Sequence, residues 1–122
     1  MKKKIIIASH DDRLRQALEF LFAAESDVQI SGSSSNLKGL LALTQATLPD
    51  LVLLDWDLSD SSAPGVVADL KQINPAMKTI VFCTLAMAPK IQATGADEFI
   101  TKGSQPDAIL KKFHSLFQLS AA

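Results

Sequence analysis

The sequence predicts an α/β fold, a doubly wound sandwich of five β-α units around a parallel sheet, and two observations carry that reading. Short apolar runs alternate with longer segments of helical period along the whole chain. Several of those runs are apolar throughout, so they need cover on both faces, as strands of a parallel sheet do. Short connections between such elements imply right-handed crossovers. At 122 residues the chain suits one domain, 1–122, able to bury about two-thirds of its unfolded surface.

The first strand is read at Ile5-Ile6-Ile7-Ala8, and the helix after it from Leu14, Leu18, Leu21 and Phe22, which share one face. Val28-Gln29-Ile30 alternates as an edge strand does, and Ser31 to Ser35 reads as a polar loop leading out of it. Leu37, Leu40, Leu41, Thr44 and Leu48 keep helical spacing until Pro49 and Asp50 stop it. Leu51 to Leu54 is the central strand. A third helix gathers Val66, Val67, Leu70 and Ile73 and ends at Asn74 and Pro75, and Ile80 to Cys83 and Phe99-Ile100 supply the last two strands. Between Thr84 and Gly95 there is room for barely two helical turns after Pro89, so a short, weakly held helix is expected there. In the last helix Ser104 and Asp107 approximate a capping box, Pro106 lies in the first turn, and Ile109, Leu110, Phe113, Leu116 and Phe117 form an apolar stripe.

Composition excludes several classes of function. No stretch reaches the ~18 apolar residues of a membrane helix, and Met1 to Lys4 is charged with no signal-like apolar region behind it. A cytoplasmic protein with no membrane partner is expected. A net charge of −1 leaves no electrostatic footprint for nucleic acid, so direct binding of DNA or RNA is not expected. The single cysteine, Cys83, lies inside an apolar run and reads as a buried thiol; one cysteine excludes a disulfide within the chain.

Three strand ends carry the chemistry. Asp55 closes the central apolar run, and Thr84 and Lys102 close the runs that follow. Ligands and chemistry in an open parallel sheet gather outside the carboxyl ends of the strands, so the topology delivers a carboxylate, a hydroxyl and an ammonium to one place. Phosphoryl transfer needs such a set, because it depends on positioning and on cations that stabilise charge spread over the phosphoryl oxygens. Each residue alone also has an ordinary reading, as a cap, a strand threonine or a solvated lysine. Their joint order gives the signal.

The segment Pro49-Asp50-Leu51-Val52-Leu53-Leu54-Asp55-Trp56-Asp57, with Thr84 after Val81-Phe82-Cys83 and with Gly95-Ala96-Asp97-Glu98-Phe99-Ile100-Thr101-Lys102, resembles the receiver domain of response regulators over essentially the full chain. The resemblance implies a flavodoxin-like sheet of order 2-1-3-4-5. It implies a signalling module of two-component systems and phosphorelays, whose aspartate takes a phosphoryl group from a histidine kinase or phosphotransfer protein. Asp55 falls on the phosphoacceptor, Thr84 and Lys102 on the residues that contact the phosphoryl group, and Phe99 with Thr84 on the conformational switch. Such a switch alters the face built from the last strand and helices, toward a downstream protein, the chain's own output domain or a second copy. No enzymatic activity is implied beyond self-phosphorylation from a phosphodonor and autodephosphorylation.

The acidic pair that holds Mg²⁺ in receivers is replaced here by Ser9 and His10. Losing two carboxylates removes charge and oxygen ligands from the site, so Mg²⁺ binding is expected to be weak or absent. The remaining metal candidates are Asp55, Asp57 and Asp11, although Asp11 also reads as a helix N-cap. His10 is a candidate pH-dependent positive charge in the metal's stead. The loop Leu58 to Pro64 lacks the proline that receivers carry after the third strand and has Ala63 where glycine is common.

Two other functions are weighed beside this one. A pseudo-receiver would bind a partner independently of phosphorylation, and metal affinity separates the two. Asp55-Trp56-Asp57 also resembles the Asp-x-Asp motif of haloacid-dehalogenase-type phosphatases, in which one aspartate is nucleophile and the other acid/base. That motif belongs on a first strand with later acidic ligands, and none follow. A flavin-binding protein would need a phosphate loop after Ala8, which is missing.

Overall fold

The computed structural model describes residues 2–58, 63–87, 89–90 and 94–118. Five strands, β1 (Lys3–Ala8), β2 (Val28–Ser34), β3 (Leu51–Asp55), β4 (Lys78–Cys83) and β5 (Glu98–Thr101), alternate with helices α1 (Asp12–Ala23), α2 (Leu37–Thr47), α3 (Ala63–Ile73) and α4 (Pro106–Phe117). All strand pairs are parallel, in the order β2-β1-β3-β4-β5. This is the flavodoxin-like order expected from the sequence.

Alternation along each strand divides the core between two faces. Ile6, Ala8, Val52, Leu54, Val81 and Cys83 meet Leu40 of α2 and Val66, Val67 and Leu70 of α3. Ile5, Ile7, Leu51, Leu53, Ile80 and Phe82 meet Leu18 and Phe22 of α1 and Ile109 and Phe113 of α4. Because successive side chains point to opposite faces, an all-apolar strand can serve both layers. The Phe22 and Phe113 rings lie edge to face at 5.4 Å and join the two helices that cover the second face.

Several local expectations needed correction. β2 does not end at Ile30 but runs to Ser34, through residues that read as loop. Its pairing skips one residue, Ile5 matching Ile30 and Ile6 matching Gly32, so Ser31 is an inserted bulge residue. The ladder with β1 overrides the low strand propensity of serine and glycine. At α4 the cap is Gln105, with no side-chain cap bond, and Pro106 opens the helix. Ser104 instead donates to the Thr101 carbonyl at 2.7 Å, closing the turn after β5, so the expected capping box is absent. Leu85–Met87 forms a 3-10 turn. Apart from Pro89 and Lys90, the helix expected after it lies outside the described residues, as do the four residues after Leu58.

One polar anchor sets the start of β5 and hence where its end falls. Asp97 Oδ2 accepts from the Thr79 backbone at 2.8 Å and from Lys71 Nζ at 2.7 Å. Lys71 also donates to the Met77 carbonyl at 2.8 Å, tying α3, β4 and β5 together.

Candidate functional site at the ends of the central strands

Asp55 is the last residue of β3 and is 1% exposed, yet it ends a strand whose neighbours on both sides are apolar. A buried carboxylate needs partners, and each of its oxygens has one. Ser9, just past β1, donates its hydroxyl to Asp55 Oδ2 at 2.8 Å. Lys102, just past β5, places Nζ 2.9 Å from Oδ1, and the backbone amide of Asp57 donates to the same oxygen at 3.1 Å.

Each partner is itself held. The Ser9 amide donates to the Ser34 carbonyl at 3.0 Å, and the Ser9 carbonyl accepts from Arg15 Nη1 at 2.8 Å. The Lys102 amide donates to the Cys83 carbonyl at 2.9 Å, which carries the β4–β5 ladder one residue beyond β5. Gly103 then turns the chain with φ of 93°, a left-handed conformation that glycine adopts without a Cβ penalty.

Lys102 reaches a second carboxylate. Its Nζ lies 2.8 Å from Asp57 Oδ2, so one ammonium bridges Asp55 and Asp57. Burial lowers the pKa of Lys102, but hydrogen bonds to Asp57 and Asp55 and the charge of both outweigh it and raise the group above its ordinary value. Burial pushes the pKa of the Cys83 thiol up, against the opposing charge of Lys102.

The other expected site residues lie around this centre. Asp11 caps α1, its Oδ1 accepting from the amides of Arg13 at 2.9 Å and Leu14 at 3.3 Å. His10 is exposed beside Ser9. Thr84 follows β4 directly and is exposed, and its carbonyl accepts from the Met87 amide at 3.0 Å; among the described residues its hydroxyl makes no hydrogen bond to Asp55 or Lys102. Phe99 is half-buried against the α2/α3 side of the core, with Lys112 Nζ 5.3 Å from its ring centroid and paired with Glu98 at 3.0 Å. The sequence gives a single sign that Ser9 would hold Asp55 and none that Lys102 would take Asp57 as well. A strand-end serine opposite a strand-end aspartate is the only available signal for the first.

Residues 5–114 match the response regulator receiver domain. The chain belongs to this family. Receivers of response regulators are typically non-enzymatic signalling modules, and they generally bind Mg²⁺ in an acidic pocket. Among curated proteins, this receiver is 28% identical over 112 residues to the transcriptional regulatory protein YhcZ of Bacillus subtilis, matching 88% of this chain and 52% of that one. It is 23% identical over 113 residues to the nitrate/nitrite response regulator NarL of Escherichia coli, matching 90% of this chain and 52% of that one. The chain thus spans about half the length of these relatives. Among solved structures, it superposes with a TM-score of 0.85 on a CheY-like receiver domain from Methanospirillum hungatei, at 21% identity, covering 97% of this chain and 95% of that one. The receiver domain of NarL from Mycobacterium tuberculosis gives the same TM-score at 19% identity, covering 96% and 97%. These likenesses establish the fold.

The donor set of this receiver departs from a Mg²⁺ site. Among the described residues, no three of histidine, cysteine, aspartate and glutamate come together as a metal cluster. One ammonium lies within hydrogen-bond distance of both carboxylates, and a hydroxyl donates to Asp55 from the β1 side. A hard cation wants several oxygen ligands with open lone pairs, and these donors do not fit it.

Proposed function

We propose that this receiver is a phosphorylation switch with Asp55 as acceptor. The observation that supports it is the buried Asp55 carboxylate at the end of the central strand, with Lys102 at 2.9 Å. One Asp55 oxygen attacks the phosphorus of a phosphohistidine on a histidine kinase or phosphotransfer protein. The phosphorus–nitrogen bond breaks, and the leaving imidazole keeps the electron pair and takes up a proton. Lys102 then binds the new phosphoryl oxygens, Thr84 swings in to donate its hydroxyl, and Phe99 turns into the space released. The face around β5 and α4 changes toward its downstream target, which is a separate protein, an output domain on the same polypeptide, or a second copy. Mg²⁺ binds weakly or not at all.

A second reading, the pseudo-receiver, draws on Ser9. Its hydroxyl already satisfies Asp55 Oδ2 where receivers carry an acidic residue. In that case the same face binds its partner constitutively. Treatment with a small acyl phosphate followed by mass spectrometry decides between them: a single adduct on Asp55, absent from Asp55→Asn, supports the switch. An unmodified protein supports the pseudo-receiver, and an adduct that survives Asp55→Asn overturns the assignment of the acceptor.

A further inference from the structure

Asp57 presents a carboxylate where receivers contribute a backbone carbonyl to the metal, and here that carboxylate is engaged with Lys102 rather than free for a cation. Lys102 is held at its backbone and at its ammonium. Its backbone is pinned to β4 through the Cys83 carbonyl, and its ammonium sits 2.9 Å from Asp55 and 2.8 Å from Asp57. Two carboxylates this close repel one another unless a cation lies between them, and one is supplied by the chain itself. Ser9 completes the arrangement by donating to the far oxygen of Asp55, where a second acidic residue would have added charge that one lysine does not balance.

We propose that Asp57 is a positioning residue that holds the Lys102 ammonium against Asp55 as the resident cation of this site. The proposal rests on the reading of Asp55 as the reactive carboxylate. Lys102 and a divalent cation then compete for the same two carboxylates. Asp57 holds the ammonium near Asp55 when the acceptor is empty and sets how far it travels when a phosphoryl group arrives.

Two arms test this, neither using a phosphodonor. In the first, Mg²⁺ is titrated by calorimetry and Trp56 fluorescence into wild type, Lys102→Met and Lys102→Gln. Removal of the ammonium is expected to tighten Mg²⁺ binding at least about tenfold, and adding Asp57→Asn to Lys102→Met is expected to return part of that gain. Wild type that binds Mg²⁺ as tightly as the Lys102 variants overturns the proposal. The second arm needs no Lys102 variant to fold. Exchange of the Lys102 ammonium protons with water, followed by nitrogen-resolved NMR, is expected to be slow in wild type and in Asp57→Glu and several-fold faster in Asp57→Asn. Equal exchange in wild type and Asp57→Asn removes Asp57 from the positioning role. Failure of Asp55 to accept a phosphoryl group leaves both arms readable, so the two proposals fail separately.

Discussion

The hydroxyl of Ser9 donates to Oδ2 of Asp55 across 2.8 Å, and both residues are 1% exposed. This buried bond ties the residue after β1 to the last residue of β3, one step beyond the Ala8–Leu54 register of the ladder. Ser9→Ala is expected to leave a buried carboxylate oxygen without its donor and to cost about 1–3 kcal/mol of stability. Urea denaturation measures it, and a loss within experimental error of zero would show that another donor, or water, takes over.

Restoring acidity tests the same corner from the opposite direction. Ser9→Asp with His10→Asp brings new carboxylates next to Asp55, which repel it without metal and recruit Mg²⁺ with it. Mg²⁺ affinity is expected to rise at least about tenfold, about 1.4 kcal/mol. Isothermal titration of the double variant against wild type checks this, and equal affinities would mean that the native residues already form a competent metal site.

Lys102 gives the stability of the protein an alkaline limit. Its folded pKa is raised above the ordinary 10.5, so the stabilisation is fully present below that value and is lost as pH climbs through the folded pKa. In metal-free buffer, the stability difference between wild type and Lys102→Met is expected to be constant near neutrality and to shrink in the alkaline range above the ordinary value. Denaturation curves collected across that range decide it; a difference independent of pH would place the lysine outside the linkage.

Thr84 stands one residue beyond β4 and Phe99 lies within β5, and the proposed switch has the two move together. The variants Thr84→Ala and Phe99→Ala are expected to be non-additive in the rate of phosphoryl loss from Asp55, with a coupling above about 0.5 kcal/mol. Strict additivity in a double-mutant cycle would separate the two residues and favour constitutive partner binding.

The sheet and the placement of Asp55 were legible because they rest on features that act locally: apolar runs of strand length, helical spacing and the stops at Pro49 and Pro75. The N-cap at Asp11 was legible for the same reason, since a cap involves only the next few residues. What escaped depends on partners distant in sequence. Ser31 to Ser34 extend β2 only because β1 offers a ladder, a gain that no local propensity reports. Lys102 meets Asp57 across 45 positions, and its bridging of two carboxylates follows from the approach of the β3 and β5 ends in space. Ser104 shows the reverse case, a sequence pattern for capping whose hydroxyl is claimed by the nearer Thr101 carbonyl.

The extra residue at Ser31 has a consequence for how molecules of this chain can meet. β2 is one rim of the sheet, and an exposed rim of evenly spaced amides and carbonyls is a template on which another chain can add a strand. The insertion breaks that spacing midway along the rim, and the opposite rim, β5, is only four residues long. Neither rim therefore offers a long, regular ladder for strand addition. A second copy adding a strand at either rim would meet too short or too uneven a row of partners to extend the sheet far.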